Sequence, residues 1–251
     1  MAGHSHWAGI KHKKALVDSK RGKLWSKLSK AIIIAARDGG GDPSMNLKLR
    51  YAINDAKAVS MPKDNIERAV KKGTGELDGG NLDGVLYEGH GPSGVAVLCD
   101  ILTDNRNRTA PEIRKVFELN GGKLGVSGCS AWMFDRKGLF VVPREQSDEE
   151  SLFELAIESG ASDVRLTGGV YEVVCDPEAY SAVSEAIDEA GIATDSRETT
   201  WLPKDTVQVV GDDARKVLKL MEALDDHDDV QAVAANFDIP DESMAQISDN
   251  A

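Results

Sequence analysis

Aromatic residues make up only 5% of the 251-residue sequence, so its hydrophobic cores must be mostly aliphatic. Cysteine is scarce too. Cys99, Cys129 and Cys175 stand far apart and form no CxxC pair. This excludes a disulfide scaffold and a cysteine-rich zinc site, and it fits a reducing compartment. No apolar run approaches the ~20 residues needed to span a bilayer. The most apolar segment, residues 31–36, is bracketed by Lys30 and Arg37. Residues 1–30 carry 8 Lys and Arg and no long apolar stretch, unlike a secretory signal.

Charge is plentiful but unevenly placed. The net value of -12 averages a basic head and an acidic body. Residues 1–75 hold 16 Lys and Arg against 6 Asp and Glu, and the remaining residues reverse the balance strongly. That asymmetry is expected of a nucleic-acid binder with one contact surface, because the body would be repelled by phosphate. A solvated basic arm with no partner would give the same count.

Residues 1–18 read as a flexible basic arm, with His4, His6, Trp7 and the cluster Lys11, His12, Lys13 and Lys14. Residues 19–75 read as a three-helix domain. In its first helix Leu24, Leu28, Ala31, Ile32 and Ala35 form an apolar stripe, with Lys20, Lys23, Lys27, Lys30 and Arg37 opposite. Ile34 falls among the cations. The second helix is expected over 44–59 and the third from Pro62 to Gly73. Five glycines in 73–84 mark a linker.

A hairpin follows, turning at 90–94. Next come a helix over 109–119 with a capping box of Thr109 and Glu112, and a strand at 131–134. Residues 138–203 give strand, helix, strand, strand, helix, strand, the split-βαβ or ferredoxin-like order, with Ser147 and Glu150 as a second capping box. Residues 206–237 add strand, helix and strand, too little to fold alone. The fold class is therefore α+β: a three-helix domain, then two α+β domains, one inserted in the other. Segments 76–137 and 204–239 pair into one discontinuous domain, 138–203 is the insert, and 240–251 is a frayed acidic tail.

His4, His6 and His12 lack a fourth ligand and a supporting shell for zinc. Asp100, Asp104 and Glu112 could suggest a divalent-metal nuclease, but no placed base accompanies them. Arg106 and Arg108 before a helix start offer a secondary phosphate contact instead. The turn 89–94 lacks the Gly-Lys-Ser/Thr ending of a nucleotide cradle. His90 and His227 sit in no nucleophile motif. The sequence thus predicts no catalytic residues, metal, cofactor, small-molecule substrate or membrane partner. The candidate nucleic-acid-binding set is His4, His6, Trp7, Lys11, His12, Lys13, Lys14, Lys20, Arg21, Lys23, Lys27 and Lys30. Lysines and arginines would meet phosphates, and Trp7 and the histidines would stack on bases.

Six segments carry a family resemblance. They are Ala2 through Lys14, Gly39-Gly40-Gly41-Asp42-Pro43, Met61 through Ile66, Tyr87-Glu88-Gly89 with Thr103 through Thr109, and Ala131-Trp132-Met133-Phe134. In that order they resemble the YebC family over residues 2–239. The family usually has Lys at His6, Asn at Gly9, and Ser-Val at Cys129-Ser130. The resemblance implies a helical domain followed by two α+β domains, the last inserted in the middle one. It also implies a non-enzymatic regulator of gene expression in the bacterial cytoplasm. Members are described as DNA-binding transcriptional regulators, and also as ribosome-associated factors that ease elongation through proline-rich stretches. The partner is thus DNA, or ribosomal RNA on the ribosome.

Overall fold

The computed structural model describes residues 21–78, 82–167 and 169–240, with 243, 244 and 247. The fold is α+β, and its described residues build three main cores, with two smaller clusters on the outer faces of the sheets.

The first core belongs to α1 (Arg21–Gly39), α2 (Leu47–Ala58) and α3 (Lys63–Gly73). Ile32, Ala36, Leu49, Ala56 and Ile66 are buried between them. The apolar stripe of α1 is rotated from the expected one. Trp25 packs against the core, and its indole Nε1 donates to Val59 O at 3.3 Å. A large ring with one polar atom buries best where that atom finds a carbonyl, and the end of α2 supplies one. Asn46 caps α2, accepting from Leu49 N at 3.1 Å and donating to Ala35 O at 2.8 Å. α3 crosses α1 at Gly73, where a Cβ would come within 2.5 Å of Ile33 O.

The middle core is built on an antiparallel sheet of order β3-β1-β2-β9. Its strands are β1 (Asp83–His90), β2 (Ala96–Thr103), β3 (Lys123–Leu124) and β9 (Val230–Ala235). Helices α4 (Arg106–Leu119) and α7 (Gly211–Asp225) cover one face with Ile113, Phe117, Val217, Leu220 and Leu224. The 90–94 segment is a hairpin turn, with Ser93 at φ 57° and Gly94 at φ 75°. β8 (Val207–Gln208) and β10 (Phe237–Asp238) pair in parallel beside it.

The third unit has strands β4 (Phe134–Pro143), β5 (Ala161–Thr167), β6 (Val170–Cys175) and β7 (Ser196–Pro203). Its sheet order is β5-β6-β4-β7, all antiparallel. Helices α5 (Glu149–Glu158) and α6 (Tyr180–Glu189) back it through Leu152, Ala156, Val183 and Ile187. This is the ferredoxin-like arrangement.

Local expectations change in four places. The strand expected at 131–134 is a 3-10 turn, Ala131–Met133, and Phe134 begins β4. β4 then runs unbroken into the insert, so the strand starts before residue 138. The hydroxyl of Thr109 does not cap α4. Asn105 does, its side chain accepting from Arg108 N at 3.2 Å. Likewise Asp148, not Ser147, caps α5 by accepting from Ser151 N at 3.0 Å. α4 begins at Arg106, which puts Thr109 inside the helix, and Asp148 stands immediately before the first residue of α5. The tail is not wholly frayed, since Met244 is buried in the middle core with Ile247 packed beside it. These apolar side chains sit among acids, and their burial outweighs the polar composition.

No described helix is long and apolar enough to cross a membrane.

Candidate nucleic-acid interface

Of the expected binding residues, His4, His6, Trp7, Lys11, His12, Lys13, Lys14 and Lys20 lie outside the described residues. Arg21 opens α1. The three remaining lysines share one helix face, by their spacing, and the structure brings that face against the middle domain.

Lys23 Nζ donates to Asp226 O at 3.0 Å. Lys27 Nζ reaches both the carbonyl and, at 3.2 Å, the carboxylate of Asp225. Lys30 Nζ donates three times: to Leu102 O at 3.1 Å, Asp228 O at 2.9 Å and Asp229 Oδ1 at 2.7 Å. Farther along the same face Arg37 donates to Leu82 O at 2.9 Å. Ile34, the apparent misfit of the basic stripe, is half-buried there. The stripe is thus an interdomain contact. Several acceptors are carbonyls at the C-terminal end of α7, where the helix dipole favours cations. The complementary signal stood in the sequence as Asp225-Asp226-His227-Asp228-Asp229.

Asp229 is the hub. Its carboxylate is almost fully buried and accepts from Lys30, from Arg108 Nη2 at 2.9 Å and from the Thr109 hydroxyl at 2.6 Å. The Thr103 and Thr109 hydroxyls lie 2.8 Å apart, and Asn105 N donates to Thr103 at 2.9 Å. Burial alone would raise the Asp229 pKa. The hydrogen bonds from Lys30, Thr109 and Arg108 outweigh it and hold the carboxyl well below the usual range. His227 Nδ1 accepts from Asp229 N at 3.1 Å, which leaves Nε2 to donate to Glu112 at 3.1 Å.

The two arginines offered as secondary phosphate contacts already have carboxylates. Arg106 pairs with Asp83 at 3.2 Å, and Arg108 with Asp104 at 3.0 Å as well as with Asp229. Between α1 and α4 a cleft of about 660 Å³ is lined by Lys23, Arg108 and Lys115 but also by Asp104, Glu112 and Asp228. Its charge is mixed. Of the three acids weighed for metal, Asp100 binds Arg136 at 2.8 Å and the Trp201 indole at 3.3 Å, while Asp104 and Glu112 are paired as above. No group of three metal-ligating side chains occurs among the described residues.

A second ordered feature escaped the residue-by-residue reading. Glu88 on β1 is buried and accepts three backbone N–H groups: Gly128 at 2.5 Å, Ser130 at 2.7 Å and Ala131 at 2.7 Å. Burial tends to raise its pKa, but these three bonds prevail and lower it. The loop so held leaves Trp132 67% exposed.

Residues 5–76 match the TACO1/YebC protein N-terminal domain, and residues 82–237 match the TACO1/YebC second and third domain. The chain belongs to the TACO1/YebC family. A relative from Rhodopirellula baltica, named a probable transcriptional regulatory protein, is 58% identical across 98% of this chain and 100% of its own length. One from Natranaerobius thermophilus with the same description is 56% identical, covering 97% and 99%. The crystal structure of a conserved hypothetical protein from Aquifex aeolicus superposes with a TM-score of 0.86 at 50% identity, covering 94% of this chain and 98% of that one. In this TACO1/YebC chain the signature segments Thr103–Thr109 and Tyr87-Glu88-Gly89 therefore build the two networks just described.

Proposed function

We propose that this chain is a non-enzymatic, nucleic-acid-binding regulator of gene expression, acting as a transcriptional regulator and docking through its basic N-terminal segment. The carrying observation is the division of charge. The α1 lysines are engaged with Asp225–Asp229, so Lys11, Lys13, Lys14, Lys20 and Arg21, set against the single acid Asp18, are the densest cationic stretch of the sequence not engaged there. Trp7, His4, His6 and His12 add stackable rings to it. The names of the relatives support regulation of transcription.

A second reading is a ribosome-associated factor that binds ribosomal RNA. It is favoured by the occupied stripe of α1, because a helix whose cations face a neighbouring domain does not offer that face to a DNA groove.

The test is a salt titration of wild type and of a Lys11→Glu, Lys13→Glu, Lys14→Glu variant against one single-stranded RNA and one DNA duplex. If ~6 phosphates are neutralised on RNA, log K falls against log salt with a slope of about -4. The variant is expected to weaken binding and flatten the slope. Unchanged affinity and slope would remove the arm as the interface. Promoter occupancy supports the first reading, and ribonuclease-sensitive co-sedimentation with ribosomal particles supports the second.

A further inference from the structure

Residues 119–134 contain no Asp or Glu, the longest such run in the acidic stretch 76–251. Within it, the loop between β3 and β4 is built to a fixed shape. Glu88 gathers three of its N–H groups. Gly125 lies so close to Cys129 that a Cβ would sit 2.5 Å from its Sγ. Gly125 N is bound to Glu88 O at 2.8 Å. At the end of this loop Trp132 is 67% exposed and Val126 is 78% exposed.

The polar atoms of Trp132 are already used. Its Nε1 donates to Cys129 O at 3.2 Å, and its carbonyl accepts from Lys204 Nζ at 3.0 Å. What remains for a partner is the flat face of the ring. The ring is held in place by these bonds, and its face is open to a flat partner.

We infer that Trp132 is a stacking platform for an unpaired nucleobase. The inference rests on the nucleic-acid reading above and names which part of the ligand reaches the body of the protein. Stacking needs only a π-face and no hydrogen-bond partner, which matches an indole whose edge is tied down. Electrostatics select the same ligand. Elsewhere the body repels a phosphodiester chain, but this loop has no carboxylate of its own, and the charge of Glu88 is enclosed by N–H groups. Lys204 lies against the Trp132 backbone. Its pairing with Asp135 at 3.3 Å is exposed at both ends, a kind of contact worth little and open to exchange for phosphate.

The experiment uses the full chain and follows fluorescence anisotropy of a short labelled oligoadenylate and of a labelled DNA duplex. Trp132→Ala is expected to weaken single-strand binding about 5- to 150-fold. The salt slope should stay unchanged, because the lost contact is uncharged. Duplex affinity should not move, and Trp132→Phe should recover most of the loss. Unchanged single-strand affinity in Trp132→Ala overturns the inference. So does an equal loss on duplex, or a loss that Phe does not rescue while thermal melting falls. If Trp132→Ala loses co-sedimentation with ribosomal particles yet keeps oligonucleotide affinity, the platform meets a protein and the nucleobase assignment fails. The two levels separate cleanly. Binding abolished by the arm substitutions but untouched by Trp132→Ala leaves the functional reading standing and removes this one. Wild type that binds neither ligand removes both.

Discussion

Two carboxylates, Asp229 and Glu88, are buried to nearly the same degree and lie in the same domain, yet they organise opposite kinds of structure. Asp229 is bound by side chains: Lys30 from the helical domain, and Arg108 and Thr109 from α4. It joins domains. Glu88 is bound by main chain alone, and it shapes one loop and holds an indole outward. The first neutralises cations that sequence patterning assigns to solvent. The second stabilises a surface that patterning does not mark at all. A buried acid can thus withdraw a region from contact with a partner or prepare one for it, according to which donors satisfy it.

The sharpest way to break the comparison is Asp229→Ala. It strands Lys30 and Arg108 without their shared acceptor, and removing one member of a buried charged network costs on the order of 3 kcal/mol. Urea denaturation of the full chain measures it. A loss near zero would mean that the contact is not holding the domains. Next, Lys27→Glu with Lys30→Glu places two acids against Asp225–Asp229. We expect about 2 kcal/mol of destabilisation, a larger radius of gyration by X-ray scattering, and faster proteolysis within residues 73–84. The helical pattern, taken alone, predicts that these substitutions leave the folded body unchanged. Glu88→Gln should cost a similar amount, about 2 kcal/mol, because the amide keeps one accepting oxygen but turns an NH2 donor toward a backbone N–H that the second carboxylate oxygen accepts in the wild type. Its signature is faster amide exchange confined to residues 125–133.

Acid should sharpen the comparison further. A carboxyl whose folded-state pKa is depressed contributes stability that is present above its unfolded value, about 3.9 for Asp. That stability is lost as pH falls toward the folded value. For Asp229 the stability difference between wild type and Asp229→Asn should therefore be constant above about pH 5 and shrink below it. A difference independent of pH down to the acid transition would contradict the charged network. The smallest effect belongs to Trp132→Ala. An exposed side chain away from any core should change folding stability by no more than about 0.5 kcal/mol, whatever it does to binding.

Much of the fold was legible from residue periodicity and order. The ferredoxin-like unit followed from the order of its short runs, among them the β-rich stretch Val170–Cys175, which is a strand in the structure. The helices were legible because apolar residues such as Leu28, Ile32 and Ala35 recur at helical spacing. The fate of the α1 lysines was not legible, because periodicity shows which side chains share a face but not what opposes that face. Asp225–Asp229 is almost two hundred residues away, and only the folded chain brings the two together. Glu88 was hidden for a related reason. Its partners are backbone N–H groups, which every residue possesses and no sequence pattern announces. Trp132 stood plainly in a signature segment, but exposure is a property of packing, and a lone tryptophan in a sequence reads as core.

β4 is one uninterrupted strand whose first residue, Phe134, packs with the middle sheet and whose later residues line the insert. The returning strand β7 is hydrogen-bonded to it from the outset, Phe134 lying opposite Pro203. The insert is therefore carried on a two-stranded stem, not on a pair of loose tethers. Such a ribbon resists torsion in a way that single-chain linkers do not. Any torque applied at the far end of the insert arrives at the base of the stem, where Trp132 sits two residues before the strand begins. The ferredoxin-like unit is in this sense braced to the middle sheet by paired main chain.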